Sequence, residues 1–167
     1  GGLYTHAGMW ALQAECLLGR REAAWKLYRS FCPVLRGMKP DFYQVEPYVT
    51  PGNVDGPDSP NYGRGGWTWY TGSSAWMFRV STEWLLGVRP TYEGLLVRPC
   101  LPPHWKGFTM KRTFRGSVYR ITVRTGAAVQ EVRVDGKAQR SDLVPAFADG
   151  REHTVEVRLA RVPALRA

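Results

Sequence analysis

Residues 118–124 have the sequence VYRITVR, and this short stretch indicates how the second half of the chain folds. Tyr119, Ile121 and Val123 alternate with arginine and threonine, which is the two-residue period of a strand with one buried and one solvated face. Comparable runs recur through residues 91–167. The sequence therefore predicts a small antiparallel, jelly-roll-like β-sandwich over residues 91–167, with the arginine-bearing strand faces turned to water.

Two Asp-Gly pairs separate some of these runs, Asp135-Gly136 and Asp149-Gly150. Asp-Gly favours the tight turns that join antiparallel strands, because both residues tolerate a positive φ. The sequence therefore predicts a β-hairpin at each pair.

Upstream of residue 90 the apolar residues follow the period of a helix, so the chain as a whole is predicted to be α+β. The first apolar stripe consists of Trp10, Ala14, Leu17 and Leu18. It predicts a helix over residues 8–18, and a similar pattern predicts a second helix over residues 21–32, which Pro33 ends. A tight turn at Gly19 would join the two as a helical hairpin.

A stretch rich in proline and glycine follows, and then one more helix. Residues 40–49, PDFYQVEPYV, predict an extended segment, and residues 51–66 predict a long loop. Ser73 or Ser74 can N-cap a helix that ends near Leu86.

The composition is that of a globular protein. A hydrophobic content of 44% excludes a disordered chain. No apolar run reaches the ~18 residues of a membrane span, and the first ten residues lack the pattern of an export signal. Three scattered cysteines predict free thiols in a reducing compartment. Because the chain opens within patterned sequence and without an initiator methionine, we expect a fragment of a longer protein.

The net charge of +9 raises the question of nucleic-acid binding. Most of the excess lies in the second half, where the basic residues are dispersed among the predicted strands. A dispersed pattern is more typical of a solvated sheet face than of a nucleic-acid surface.

The segment at residues 61–76, NYGRGGWTWYTGSSAW, follows neither period, although it holds four glycines and three tryptophans. Large aromatic residues in a loop either fill the core beneath it or form the wall of a site, where they stack on the apolar faces of sugar rings. For Trp67, Trp69 and Tyr70, and for Tyr48 nearby, both interpretations stay open.

Thr71 and Gly72 stand directly before the third predicted helix. Free N–H groups and the helix dipole favour an anion there, and a glycine lets a ligand approach the backbone closely. His6, at the start of the first helix, can supply an adjustable donor to such an anion. The alternatives are that Thr71 caps the helix and that His6 is a hydrogen-bonded structural histidine.

Other catalytic and metal patterns are weak or absent. Glu46 is the only acidic residue set between aromatics and prolines, and it has no partner carboxylate at a defined spacing. His104 and His153 have no metal-ligand spacing, so no zinc site is predicted. The phosphate-binding P-loop and the dinucleotide glycine pattern do not occur.

Five separate motifs nevertheless resemble one known family. They are GGLYTHAGMW (1–10), YQVEPYV (43–49), GRGGWTWYTGSSAWMFRV (63–80), LLGVRP (85–90) and LLVRPCLPPHWKGF (95–108). In this order they resemble the C-terminal part of glycoside hydrolase family 94. That family comprises inverting cellobiose, chitobiose and 1,2-β-oligoglucan phosphorylases, and the phosphorylase-like end of cyclic β-1,2-glucan synthases. The residues of these motifs are most similar to those of the β-1,2-glucan members.

The resemblance implies that residues 1–90 are the last helices of an (α/α)6 catalytic barrel and that residues 91–167 are a C-terminal β-sandwich. It implies inverting phosphorolysis of a β-glucosidic bond to an α-sugar 1-phosphate. Inorganic phosphate would be the co-substrate, with neither a cofactor nor a metal. The residues that match the family's phosphate site are His6, Thr71 and Gly72.

The general acid of the family is an aspartate expected upstream of Gly1. The resemblance therefore places no catalytic residue in this chain and implies that the fragment alone is inactive. The candidate sugar-binding residues are Glu46, Tyr48, Arg64, Trp67, Trp69 and Tyr70. Thr50, Pro51 and Gly52 stand where the oligosaccharide phosphorylases can carry a glutamine, which is a departure from cellobiose or chitobiose specificity.

The implied partners are a β-linked gluco-oligosaccharide and phosphate, not nucleic acid, and a homodimer formed through the parent protein is a candidate assembly. The implied location is the cytoplasm, or the cytoplasmic part of an inner-membrane synthase. Two rival hypotheses stay open. A non-catalytic carbohydrate-binding module would explain the aromatic residues and the β-region, and a nucleic-acid-binding protein would explain the charge.

Overall fold

A computed structural model of the chain describes residues 1–69, 71–128 and 130–160, with only the backbone of Thr71. The chain divides into two compact units, Gly1–Leu86 and a second that begins at Gly87. The first unit is mainly helical and the second is built of strands, so the mixed α+β class is confirmed. The (α/α)6 barrel stays a prediction.

The first unit contains five α-helices and three short strands in its described residues. The helices are α1 (Thr5–Leu17), α2 (Arg21–Phe31), α3 (Pro33–Arg36), α4 (Pro40–Tyr43) and α5 (Thr71–Val80), and α5 continues as a π-helical turn over Ser81–Leu85. The strands are β1 (Gly2–Tyr4), β2 (Asn53–Asp55) and β3 (Gly65–Gly66), which pair antiparallel in that order.

The predicted helical hairpin of α1 and α2 is confirmed. Gly19 ends α1 with a φ of +68°, a conformation that glycine adopts without strain. Gly8 lets the two helices approach closely, because a Cβ at this position would overlap the ring of Phe31. The apolar stripe that predicted α1 is not its buried face, since Trp10 and Leu17 are exposed and Met9 and Leu12 are buried.

The stretch between α2 and α5 is more structured than predicted. Residues 40–49 are not an extended segment throughout, because Pro40 occupies the first position of a helical turn, which Gln44 ends with a φ of 52°. The predicted loop at residues 51–66 contributes β2 and β3 to the small sheet.

The predicted N-cap of the third helix is wrong. α5 begins at Thr71, so Ser73 is its third residue and lies fully buried, and Ser74 is inside the helix as well. In the segment before α5, Trp67 and Trp69 both have left-handed backbones, with φ values of 52° and 62°. The predicted end near Leu86 is confirmed, and Gly87 has the φ of +68° expected of a terminating glycine.

The second unit consists of two sheets in a sandwich-like arrangement. The smaller has the order β10-β5-β4, from Leu143–Pro145, Gly94–Val97 and Val88–Pro90. The larger has the order β6-β7-β11-β8-β9, from Gly107–Phe114, Ser117–Ala127, Glu152–Ala160, Glu131–Val134 and Lys137–Ala138. Tyr119 links the two sheets, because its hydroxyl donates to the Pro145 carbonyl oxygen at 3.1 Å.

The prediction of a wholly antiparallel sandwich is wrong at one position. β11 runs parallel to β7 and antiparallel to β8, because the chain reaches β11 from β10 in the other sheet. For the same reason Asp149-Gly150 is not a hairpin turn. The turn at Asp135-Gly136 is confirmed between β8 and β9, and a similar turn at Arg115-Gly116, which we did not predict, joins β6 to β7.

The predicted orientation of the strand faces is confirmed in β7, where Tyr119, Ile121 and Val123 are buried while Arg120 and Arg124 are exposed. The helices in the described part of the chain are too short or too polar to cross a membrane.

Candidate functional site

His6 and Gly72 lie against each other although they are far apart in sequence. His6 is in the first turn of α1, and Gly72 is the second residue of α5. A Cβ built on Gly72 would lie only 2.9 Å from both Cε1 and Nε2 of His6. The imidazole edge therefore faces the N-terminal turn of α5, where backbone N–H groups have no partner within the helix.

The small sheet accounts for this juxtaposition. β1 leads directly into α1, and its residue Tyr4 pairs with Asn53 of β2. The Thr5 N–H also donates to the Gly52 carbonyl oxygen at 2.9 Å. β2 pairs in turn with β3, from which the chain runs on to α5. Two helix N-termini are thus tied to one sheet.

Tyr4 is a neighbour of His6 that the sequence prediction missed. Its hydroxyl oxygen lies 2.7 Å from His6 Nδ1, and the two ring centroids are 5.1 Å apart. The signal that the sequence offered for this contact is that Tyr4 stands two residues before His6. His6 is half-buried, and the Trp10 ring lies on α1 at a centroid distance of 6.4 Å from it.

Two buried hydroxyl groups flank the pair in sequence. Thr5 precedes His6 and Ser73 follows Gly72, and each side chain is at least 99% buried. Neither hydroxyl oxygen has a hydrogen-bond partner within residues 1–69, 71–128 and 130–160. Leaving a buried hydroxyl unpaired costs about 1–3 kcal/mol, so such groups are typical of places where a water or a polar ligand completes the hydrogen bonding.

A second cluster is formed by Glu46, Tyr48 and Trp69. The Trp69 indole N–H donates to Glu46 Oε1 at 3.3 Å, and the Tyr48 ring lies edge-on to the Trp69 ring at a centroid distance of 6.0 Å. The Tyr48 and Trp69 side chains are 71% and 65% exposed. These rings therefore do not fill the core of the described unit, and their role in a site stays a prediction.

Trp67 and Arg64 line a cleft of about 490 Å³. The other side chains of the cleft are those of Gln44, Asp55, Asn61 and Thr68. Trp67 is exposed, and its left-handed backbone costs on the order of 1–2 kcal/mol. The chain is not extended at Trp67 and Trp69, because both have a positive φ.

Tyr70 lies outside the described residues, as does the side chain of Thr71. The described residues hold no group of histidine, cysteine and carboxylate side chains able to bind a metal.

His153 in the second unit has a defined structural role that the sequence did not suggest. Its Nδ1 lies 2.7 Å from Asp135 Oδ2 and its Nε2 lies 3.1 Å from Asp149 Oδ1. The Phe147 ring stacks on the imidazole at 3.9 Å. The hydrogen bond to Asp135 is the largest cause that raises the pKa of His153, whereas the hydrogen bond from the Arg151 N–H is the largest cause that lowers the pKa of Asp149 to about 2.

Comparison with known proteins gives two family matches. Residues 1–87 match the Glycosyl hydrolase 94 superfamily, catalytic domain, and residues 88–155 match the Glycosyl hydrolase family 65, C-terminal domain.

Three relatives illustrate the similarity. Solabiose phosphorylase of Paenibacillus borealis is 35% identical over 161 residues, which are 94% of this chain and 21% of that protein. N,N'-diacetylchitobiose phosphorylase of Vibrio furnissii is 34% identical over 163 residues, 95% of this chain and 20% of that protein. Cyclic beta-(1,2)-glucan synthase of Rhizobium meliloti (strain 1021) is 41% identical over 126 residues, 74% of this chain and 4% of that protein. The chain thus spans about a fifth of the two phosphorylases and far less of the synthase.

Proposed function

The chain belongs to the glycosyl hydrolase 94 superfamily, and from that membership we propose that it carries the phosphate site of a glycoside phosphorylase. The reaction is inverting phosphorolysis of a β-glucosidic bond, which yields an α-sugar 1-phosphate. The observation that carries the proposal is the contact of the His6 imidazole edge with the first turn of α5 at Gly72. An imidazole donor and a helix N-terminus then converge on one small anion.

Phosphate is already charged, so the protein has to position it and balance its charge more than activate it. His6 Nε2, the Thr71 hydroxyl and the Gly72 N–H are the proposed donors, and the α5 dipole adds to their field. Gly72 has a second role, because any side chain there would occupy the space of the imidazole edge. Each preorganised donor of this kind is worth roughly 10²-fold in rate.

The general acid comes, in this proposal, from an aspartate on a barrel segment outside residues 1–167. It protonates the leaving oxygen while phosphate, in the position of the water of an inverting hydrolase, attacks the anomeric carbon from the opposite face. Residues 1–90 are the last helices of the (α/α)6 barrel, and residues 91–167 are its C-terminal β-domain. These residues alone then release no sugar 1-phosphate from a β-glucan.

The sugar is proposed to contact the aromatic cluster. Trp69 and Tyr48 offer exposed ring faces, and Glu46 holds the Trp69 indole in place while its second carboxylate oxygen can accept from a sugar hydroxyl. Arg64 and Trp67 on the neighbouring cleft are candidates for further sugar contacts. Tyr70 is proposed on the resemblance alone.

The co-substrates are inorganic phosphate and a β-linked gluco-oligosaccharide, without a cofactor, and the proposed location is the cytoplasm or the cytoplasmic part of an inner-membrane synthase. The named relatives act on different sugars, so the proposal extends to the reaction class and not to one linkage.

The test uses the full-length protein and the variants His6→Ala and Thr71→Ala. We expect the KM for phosphate to rise far more than the KM for the sugar, because the variants remove donors to the anion only. A control is Ser74→Ala, an exposed residue of the same helical turn. Phosphate KM values that stay unchanged in both variants would refute the phosphate site.

A non-catalytic carbohydrate-binding module is the second candidate, favoured by the exposed rings of Tyr48, Trp67 and Trp69. It predicts that residues 1–167 bind β-glucan equally well with and without phosphate, and that no sugar 1-phosphate is formed by the full-length protein. Calorimetric titration and a product assay separate the two hypotheses.

A further inference from the structure

We propose that Tyr4 is a positioning residue for His6. Its phenol O–H donates to His6 Nδ1, and this keeps a proton on Nε2, the nitrogen that faces Gly72. The inference rests on the proposed function, since it concerns the same phosphate site, and it adds a residue that touches the imidazole and not the anion.

The geometry divides the two imidazole nitrogens between two tasks. Nδ1 lies 2.7 Å from the Tyr4 hydroxyl oxygen, which is hydrogen-bond distance. Nε2 is on the opposite edge and lies 2.9 Å from the position of a Cβ on Gly72. A neutral imidazole has one donor and one acceptor nitrogen, so the partner of Nδ1 decides what Nε2 can do.

A phenol is suited to this task because it can both donate and accept. When the imidazole is neutral, the Tyr4 hydroxyl donates to Nδ1, and Nε2 carries the N–H. When the imidazole is charged, both nitrogens carry protons, and the Tyr4 oxygen accepts from Nδ1. In both states Nε2 presents an N–H to the anion.

A carboxylate or a backbone carbonyl in place of Tyr4 would have the opposite effect. Such groups only accept, so the neutral imidazole would have to place its proton on Nδ1. Its Nε2 lone pair would then face the phosphate oxygens, as in a general base. The partner of His6 thus distinguishes an anion-binding histidine from a proton-abstracting one.

The backbone holds Tyr4 in place for this contact. It is the last residue of β1 and the residue before α1, where its pairing with Asn53 fixes the direction in which the chain enters the helix. Its side chain is 43% exposed, so burial of the ring is not its main contribution. The ring contact with His6 adds a second restraint on the imidazole.

The first experiment is Tyr4→Phe in the full-length protein, because phenylalanine keeps the ring and removes only the hydroxyl. We expect the phosphate KM to rise roughly tenfold, the loss typical of one hydrogen bond to a functional group, with the sugar KM unchanged. The matched control is Tyr62→Phe, an exposed tyrosine of the same unit, for which both KM values should stay as in the parent.

The second measurement is the His6 tautomer by two-bond ¹H–¹⁵N correlation in full-length protein labelled with ¹⁵N-histidine, with His6→Ala to assign the signal. We expect the Nε2–H form in the parent and a mixture of tautomers in Tyr4→Phe. This measurement requires no enzymatic activity.

The outcomes are distinguishable. A large effect of His6→Ala on phosphate KM with none of Tyr4→Phe would overturn the role of Tyr4 and leave the proposed function intact. An Nδ1–H tautomer in the parent would overturn it too. If His6→Ala itself leaves phosphate KM unchanged, the phosphate site fails and the role of Tyr4 fails with it. In the double variant, Tyr4→Phe should add nothing to the effect of His6→Ala.

Discussion

Gly72→Ala is the substitution that tests the contact between α1 and α5 most directly. The new Cβ would lie 2.9 Å from two atoms of the His6 ring, whereas an ordinary contact of this kind is at least about 3.4 Å. The imidazole must therefore retreat by roughly 0.5 Å or more. An error of about 1 Å in a positioned group can cost ~10²-fold in rate, so we expect the phosphate KM to rise by about ten- to a hundredfold.

The stability of the Gly72→Ala variant should rise slightly or stay unchanged. Gly72 is inside α5, where alanine favours the helix over glycine by up to about 1 kcal/mol. The His6 side chain can rotate away, so the clash falls on the site and not on the core. Activity and stability should therefore separate in this variant.

The assay is phosphorolysis at saturating sugar with phosphate varied, together with the thermal midpoint of the full-length protein. Ser74→Ala is the matched control, because it makes a similar change in helix propensity two residues along, on the exposed side. A Gly72→Ala variant with the parental phosphate KM would show that the imidazole edge does not contribute to anion binding, and the assignment of the site would be refuted.

Two further predictions concern the second cluster and the second unit. Glu46→Gln, which keeps the shape of the side chain, should raise the sugar KM severalfold and leave the phosphate KM unchanged, because Glu46 hydrogen-bonds Trp69, one of the proposed sugar contacts; equal changes in both constants would contradict it. The stability of the second unit should be greatest between pH 3.8 and 6.5. His153 has a folded-state pKa above the ordinary 6.5, so its stabilisation is complete below that pH and lost as pH rises through the raised pKa. Asp149 has a folded-state pKa lowered from 3.8 to about 2, so its stabilisation is present above pH 3.8 and lost as pH falls towards 2. Denaturant unfolding measured from below pH 3.8 to above pH 6.5, with His153→Gln to remove the alkaline decline, checks the claim, and a parental profile that stays flat on both sides of this window would count against it.

The sequence carried enough information for the elements that depend on local pattern. Period-two alternation in β7, the glycine after α1 and the Asp-Gly turn at residues 135–136 each follow from the conformational preference of a few adjacent residues. The choice of His6 and Gly72 as candidates also followed from local chemistry, namely a histidine and a glycine at two helix starts. Their role in phosphate binding stays a proposal.

What the sequence could not give was the pairing of distant segments. β1, β2 and β3 are three, three and two residues long, too short to carry a period, yet they bring the starts of α1 and α5 together. The parallel pairing of β11 with β7 likewise depends on a crossover between sheets. The left-handed backbones of Trp67 and Trp69 could not be predicted for a different reason, because bulky residues rarely adopt this conformation.

The central position of β11 has a consequence for the order in which the second unit can assemble. β11 follows every one of its sheet partners in the chain, and it separates β7 from β8. Until β11 is synthesised and inserted, β7 and β8 each have an unpaired edge that can pair with a strand of another molecule. The larger sheet of the second unit therefore cannot form before β11, its last described strand, is synthesised. A ribosome that stalls before Glu152 releases two separate hairpins, β6-β7 and β8-β9, in place of one sheet.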